Sequence, residues 1–248
     1  MVGDTGILYF RTQGGFCNRL RAIVSAAMWA EDLGKKLNIY WPVEPGNMAC
    51  KLEDILVPES IPAFNKSQVG YISKAHQILS VDDMKMVVKM TDEIRIESYS
   101  EFHPECRSGR GITVLRQIRI RPELEAAADS LWREIGAKTN WLGIHFRGTD
   151  HRKCLLASPL SLFLQYLDTS ADKKLLVTDE MSVKEEFKSR GVVTTNIILG
   201  RKTSQEQIAG IIEWLILQKC SRILASHGSS YSEMASLRGG CELITLKR

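Results

Sequence analysis

The sequence has no long apolar run, no paired-cysteine motif and no recognisable leader. No apolar stretch reaches the roughly 18 residues that cross a bilayer, so we expect no membrane span. The six cysteines lie far apart, without CxxC or Cys/His spacing, which indicates neither a zinc site nor a dense disulfide framework. Because the N-terminus lacks the features of a signal peptide, we expect a soluble cytoplasmic protein.

The chain also lacks a concentrated basic region. Its net charge is +4, but the basic residues are scattered and do not alternate with aromatic ones, so no nucleic-acid partner is expected. With 44% apolar and 25% charged residues, the composition is that of a globular protein. The length of 248 residues suffices for one large or two small domains.

In the first half, apolar strand-like segments flank an alanine-rich helical one. Residues 6–11 and 36–41 read as strands and residues 18–33 as a helix, which together form a βαβ unit. Residues 42–92 are interrupted by four prolines and predict loops and short helices, and residues 93–98 add another strand.

The second half alternates strands and helices more regularly. Predicted helices cover residues 121–136, 160–167, 183–190, 204–219 and a segment from 230; predicted strands cover 141–146, 174–178, 196–199, 222–225 and 242–246. This alternation is typical of a doubly wound parallel sheet. We therefore predict an α/β protein of two Rossmann-like halves, residues 1–112 and 113–248, whose parallel sheets face a central cleft.

The most informative segment runs from Trp141 to Asp150, where an apolar strand leads into three polar residues. His145 and Arg147 project to the same side at the strand end, which is the usual ligand crevice of a parallel sheet. A guanidinium there can hold two phosphate oxygens at once. In one alternative, Arg147 and Asp150 form an ordinary ion pair. In another, His145, Asp150 and His151 bind a metal, although the neighbouring arginines would repel a cation.

A glycine loop opens the first helix at residues 14–20. Backbone N–H groups and the positive end of the helix dipole would face an anion there, although the segment is neither a Walker loop nor GxGxxG. Alternatively, Asn18 only caps the helix.

Polar residues follow two further strands. Asp179 could bond ribose or acceptor hydroxyls, or cap the next helix. The serine-rich turn at residues 226–233 suits phosphate oxygens. Ser230 with Glu233 also matches a capping box, so one serine could have a purely structural role.

Glu213 lies among apolar residues of a predicted helix. A carboxylate in so apolar a setting needs a partner. The N–H donors of a guanine edge would serve, and a lysine or arginine from elsewhere in the chain is the commoner solution.

Together these motifs resemble the GDP-fucose-dependent fucosyltransferase superfamily, which contains protein O-fucosyltransferases, core α1,6-fucosyltransferases and rhizobial nodulation fucosyltransferases. Residues 14–19, 145–150 and 226–232 carry the resemblance, in the family's order along the chain. The resemblance implies a GT-B-like fold, an acceptor-side N-terminal domain and a C-terminal domain that binds the nucleotide sugar. It also implies transfer to a glycan or other hydroxyl acceptor without a metal or other cofactor.

The resemblance also assigns roles to individual residues. Arg147 would hold the β-phosphate and stabilise the departing GDP, with help from Ser229 and Ser230, while Asn18 would approach the diphosphate. His145 and Glu213 would contact the nucleoside. Independently of the resemblance, transfer to a hydroxyl needs a base, and Asp150 or Asp179 is the candidate to take the proton of the acceptor. The full predicted donor set is Gly15, Phe16, Asn18, Arg19, His145, Arg147, Asp179, Glu213, Ser226, Ser229 and Ser230, with Arg147 and Asp150 as catalytic residues.

The sequence departs from the family pattern at four positions: Cys17 stands for a glycine, Glu213 for an aspartate, Gly148 for a frequent second arginine and His151 for a lysine found in some members. Three alternatives to a fucosyltransferase stay open: another nucleotide-sugar donor, a metal-dependent phosphohydrolase using His145, Asp150 and His151, and a nucleotide-binding protein without activity.

Overall fold

The structure, a computed structural model, describes residues 6–70, 72–90, 93–148, 152–170, 172–197, 200 and 202–248. The chain divides into two compact units. The first contains residues 1–121 and 201–204, and the second contains residues 122–200 and 205–248. The division therefore lies nine residues after the expected boundary at 112/113, because that boundary falls inside a helix of the first unit.

The first unit is built on a parallel five-stranded sheet. Its elements are β1 (Ile7–Thr12), α1 (Phe16–Asp32), β2 (Lys36–Tyr40), β3 (Phe64–Gln68), β4 (His76–Gln77), α2 (Val81–Met90), β5 (Ile94–Ser98) and α3 (Gly109–Gln117), with short 3-10 helices at Leu52–Asp54 and Pro58–Ser60. The strand order is β3-β2-β1-β5-β4. The chain thus extends to either side of β1, and the switch point lies between the carboxyl ends of β1 and β5.

The second unit has a similar plan, with its last two strands in the opposite order. Its elements are α4 (Pro122–Glu134), β6 (Leu142–Phe146), α5 (Arg152–Ala157), α6 (Leu160–Thr169), β7 (Lys174–Thr178), α7 (Met181–Ser189), β8 (Val193–Thr194), α8 (Ser204–Leu217), β9 (Arg222–Ser226), α9 (Ser230–Gly239) and β10 (Glu242–Leu246). The strands are parallel in the order β10-β9-β6-β7-β8. The switch point lies between β6 and β9.

Strand β6 is the middle strand of the second sheet, and it is buried on both faces. On one face of the sheet, Ile144 is fully buried. The rings of Phe146 and Phe163 pack edge to face, with their centroids 5.2 Å apart. At Gly143 of the same strand there is little room for a side chain, because a Cβ would lie 2.6 Å from Leu217 Cδ1. Helix α8 can therefore pack directly on the strand backbone.

The predicted Rossmann-like halves with parallel sheets are confirmed, but several elements differ from the expectation. The predicted strand at 196–199 is wrong for residues 196 and 197, because β8 is at Val193–Thr194; residues 198 and 199 lie outside the described part. Strand β3 and helix α2 lie in a region predicted as loops and short helices. Strand β3 has the polar sequence FNKSQ and is half exposed, so it has no alternating apolar pattern that would reveal it. No helix in the described ranges is long and apolar enough to cross a membrane.

Candidate functional site

Three loops leave the second sheet at its carboxyl edge. Strand β6 is followed by Arg147, β7 by Asp179 and β9 by the serine-rich turn, and the three strands are direct neighbours in the sheet. The β6–β9 switch point therefore brings together residues that are distant along the chain. This is the position where open parallel sheets bind ligands.

The backbone after β6 is hydrogen-bonded to both neighbouring strand ends. The Arg147 N–H donates to Ser226 Oγ at 3.1 Å, and the Gly148 N–H donates to Asp179 Oδ1 at 2.8 Å. Both Arg147 and Asp179 are partly exposed. Asp179 therefore has a partner on the β6 loop, and Glu180 is the N-cap of α7 without a side-chain cap bond from the described residues. The alternative in which Asp179 caps that helix is not realised.

His145 lies buried under the serine-rich turn. Its Nδ1 is 3.1 Å from Ser232 Oγ and 3.4 Å from Ser229 Oγ. Its ring stacks on Tyr231, with centroids 4.6 Å apart and planes at 26°. Ser232 and Tyr231 are absent from the predicted site. Ser232 was detectable, because residues three apart on a helix share a face and Ser229 was already a candidate.

The imidazole of His145 is neutral at physiological pH. Burial and, to a smaller extent, the charge of Arg147 together lower its pKa to about 3, while Asp179 opposes the shift. Unlike an imidazolium, the neutral ring has both a hydrogen-bond donor and an acceptor. His145 therefore contributes a hydrogen bond to this site rather than a positive charge.

This environment predicts that His145 does not titrate near neutrality. In NMR spectra of the protein with labelled histidine, we expect the His145 ring signals to stay unchanged from pH 8 to pH 5. An unstructured histidine-containing peptide, whose imidazole has a pKa of about 6.5, serves as the reference. Because the folded-state pKa lies below the unfolded value, the stability that neutral His145 contributes is present above about pH 6.5 and is lost as the pH falls towards 3. A midpoint near 6.5 would contradict this account.

The serine-rich turn begins α9 without a capping box. Ser229 is the N-cap residue, and no side chain of the described residues caps the helix, so Ser230 is its first residue. The capping-box alternative is therefore wrong, because the helix begins one residue too early and the Ser229 hydroxyl lies by His145 instead. Ser158 also stabilises the turn, because its Oγ accepts a hydrogen bond from the His227 N–H at 2.8 Å. An uncapped helix start beside Arg147 is well suited to an anion.

Glu213 is fully buried on α8 and is paired with Lys184 of α7. Its Oε1 lies 3.3 Å from Lys184 Nζ and accepts a hydrogen bond from Thr195 Oγ1. The basic partner expected from the sequence is thus Lys184. Burial raises the pKa of Glu213 to about 7, against the lowering effects of Lys184 and Thr195. Glu213 Oε2 has no hydrogen-bond partner among the described residues, and its contact with a nucleoside stays a prediction.

In the first unit, the glycine loop follows β1 at the β1–β5 switch point. Gly15 is the N-cap of α1, so Asn18 does not cap the helix, and that alternative is wrong. Gly14 has φ +75°, and a Cβ on it would lie 3.0 Å from Asn18 Nδ2. Asn18 is partly exposed in the first helical turn, and its approach to a diphosphate stays a prediction.

Arg19 supports this loop from inside the first unit. It is fully buried, its Nε donates to Gly14 O at 2.6 Å, and its Nη1 donates to Pro42 O at 2.7 Å. The guanidinium also lies over the Trp41 ring, 4.6 Å from its centroid. Arg19 therefore joins the glycine loop to the segment after β2. Direct donor contacts of Arg19, and of Phe16, which is also buried, stay predictions.

The predicted base Asp150 and the alternative metal ligand His151 lie outside the described residues. Within the described ranges, no group of three or more His, Cys, Asp or Glu side chains could hold a metal ion.

Comparison with known proteins finds structures with a similar fold. No protein-family model matches the chain, and no curated protein matches it in sequence. Among solved structures it is similar to the fucosyltransferase NodZ from Bradyrhizobium, with a TM-score of 0.69 and 15% identity, covering 94% of this chain and 91% of that one. A NodZ α-1,6-fucosyltransferase co-crystallised with GDP gives a TM-score of 0.68 and 16% identity over 94% of this chain and 92% of that one.

A structure of POFUT1 is also similar. POFUT1 in complex with GDP-fucose gives a TM-score of 0.60 and 10% identity over 98% of both chains. The predicted GT-B-like α/β class is confirmed, since the likeness extends over nearly the whole length of each chain and includes both parallel sheets. The chain thus has the fold of NodZ and POFUT1.

Proposed function

We propose that the protein is a glycosyltransferase that moves fucose from GDP-fucose to a hydroxyl group of a glycan or another acceptor. One observation carries the proposal: Arg147, neutral His145 and the uncapped serine-rich turn converge on the switch point of the second sheet. Similar structures are of a NodZ soaked with GDP-fucose and of POFUT1 in complex with it. The carboxyl edge of the second sheet offers a guanidinium and the N-terminus of a helix, both of which bind the phosphates of a nucleoside diphosphate.

In the proposed reaction, the bond between sugar C1 and the β-phosphate oxygen breaks, and its electron pair leaves with GDP. The acceptor oxygen forms the new bond to C1, and its proton passes to a base, for which Asp150 is the proposed residue. The transition state resembles an oxocarbenium ion, so negative charge grows on the leaving phosphate. Arg147 neutralises that charge, while Ser229 and Ser230 supply hydrogen bonds at the start of α9.

The nucleoside would be bound further along the same unit. His145 offers a neutral hydrogen-bonding ring, and Glu213 Oε2 offers a buried acceptor for the N–H groups of a guanine edge. A pyrimidine such as uracil has only a single N–H on its pairing edge. The proposal therefore favours GDP over UDP.

Thermal unfolding with added nucleotide tests the donor. A ligand present at 100 times its Kd stabilises the folded state by about 2.7 kcal/mol. We expect GDP to raise the melting temperature, and UDP, dTDP and ADP at equal concentration to raise it far less. A rise with UDP alone would exclude a GDP-sugar donor.

Transfer is tested by incubating the protein with GDP-fucose and a glycan panel, with and without a chelator. We expect GDP release coupled to a product one deoxyhexose heavier than the acceptor, and equal rates in both conditions. Activity lost with the chelator would favour the metal-dependent phosphohydrolase. GDP binding without transfer or sugar release would point to a nucleotide-binding protein without activity.

A further inference from the structure

The loop that carries Arg147 is held by its backbone from both neighbouring strands. Ser226 of β9 accepts the Arg147 N–H at 3.1 Å, and Asp179 after β7 accepts the Gly148 N–H at 2.8 Å. These contacts join residues 79 and 31 positions apart in the sequence. Two consecutive peptide groups are thus fixed, which leaves the residue that carries the guanidinium little freedom to shift.

Gly148 allows this arrangement because no side chain fits there. A Cβ on it would lie 2.6 Å from Glu180 Cβ and 3.3 Å from the Phe146 ring. The loop therefore packs directly against the segment after β7. That segment is itself fixed, since buried Thr178 accepts the Glu180 N–H at 3.2 Å. Asp179 is thus held between a rigid strand end and the backbone of residue 148.

We propose that Asp179 and Ser226 are positioning residues that hold the Arg147–Gly148 backbone, and that Asp179 acts as a hydrogen-bond acceptor rather than as the base or a sugar ligand. This inference rests on the proposed function of Arg147. An arginine that stabilises a leaving group must hold its position closely, because a displacement of about 1 Å can cost 10²-fold in rate. The role differs from the donor contacts that the sequence suggested for both residues.

Two substitutions of Asp179 separate positioning from base catalysis. Asp179→Asn keeps an oxygen that can accept the Gly148 N–H but cannot take a proton, whereas Asp179→Ala removes the acceptor. We expect kcat to fall about 10²-fold in Asp179→Ala and no more than about 5-fold in Asp179→Asn, which keeps the hydrogen bond but loses the charge. Equal, large losses in both variants would overturn the proposal. Asp172→Ala, which breaks an ion pair with Arg222 at the amino end of β9, is the matched control.

A second readout depends on Arg147 itself. If Asp179 acts only through Arg147, adding Asp179→Ala to Arg147→Ala should lower kcat little further. The reason is that the effects of residues that act as a unit are not additive. A full additional loss in the double variant would make Asp179 an independent catalytic group and would overturn the proposal. Ser226→Thr, which keeps a hydroxyl, is expected to lose less kcat than Ser226→Ala.

Amide hydrogen exchange tests the inference without any transfer reaction. We expect the Gly148 amide to exchange at least about tenfold faster in Asp179→Ala, and close to the wild-type rate in Asp179→Asn, because a lost hydrogen bond removes local protection. An unchanged Gly148 rate in Asp179→Ala overturns the positioning role. Failure of wild-type protein to use GDP-fucose, with the expected exchange pattern intact, would instead overturn the proposed function.

Discussion

Replacing Arg147 with alanine is expected to lower kcat for fucose transfer by about 10²-fold or more, with a much smaller change in KM. The reason is that charge on the departing diphosphate develops in the transition state, and a fixed cation stabilises that state more than the bound donor. A loss of 10²-fold corresponds to about 2.7 kcal/mol of transition-state stabilisation. Initial rates over a range of GDP-fucose concentrations measure both constants.

Two variants control this experiment. Arg147→Lys keeps the charge but not the two-pronged geometry, so we expect an intermediate loss. Arg222→Ala removes an arginine at the amino end of β9, where its partner is Asp172, and should leave kcat within about twofold because exposed ion pairs contribute little. If Arg147→Ala kept more than about a tenth of the wild-type kcat, the proposed mechanism would be wrong.

Replacing Glu213 with leucine is expected to lower the free energy of unfolding by about 3–5 kcal/mol at pH 8, where Glu213 is ionised. Lys184 is 3% exposed, and without Glu213 its ammonium group retains, among the described residues, neutral oxygen acceptors such as Ile197 O. A buried charge without its counter-charge is costly. Urea unfolding followed by circular dichroism measures the change.

The double variant Lys184→Met with Glu213→Leu should recover more than half of that loss, because it buries no charge. The matched control is the exposed pair Lys219–Asp129, with side chains 33% and 58% exposed, where Lys219→Ala should cost less than about 1 kcal/mol. If the double variant were as unstable as Glu213→Leu alone, the loss would come from packing and not from the uncompensated charge.

The same pair should make stability depend on pH in a particular direction. The folded-state pKa of Glu213, about 7, exceeds the unfolded value of 4.5, so the folded state binds the proton more tightly. Its contribution is full below pH 4.5 and is lost as the pH rises through 7. The wild type should therefore lose more stability than the double variant between pH 5 and pH 8.

The central strands could be predicted from local patterns. Strand β6 is apolar apart from His145, and β7 and β9 have apolar centres, which is typical of parallel strands buried on both faces. Two of the edge strands were harder to predict from the sequence. Strand β3 is polar and β8 has only two residues, so neither has a pattern that distinguishes it from a loop.

Candidate residues were found by their position after a strand, but their partners were not. Asp179 and Ser226 were expected to contact a donor, whereas in the structure both accept backbone N–H groups of the β6 loop. Arg19 was expected at the ligand, yet it is buried beneath the glycine loop. The alternative in which Ser230 caps the following helix is wrong, because the helix begins at that residue.

By itself, the sequence determined the alternation of strands and helices and the kind of polar residue that ends each central strand, because both depend on neighbours within a few positions. Only the tertiary structure decided which buried polar groups meet. The partners of His145 and Lys184 lie 87 and 29 residues away along the chain. Such pairs depend on the order of the strands in the sheet, and a buried polar group must find whichever partner that order brings within hydrogen-bonding distance.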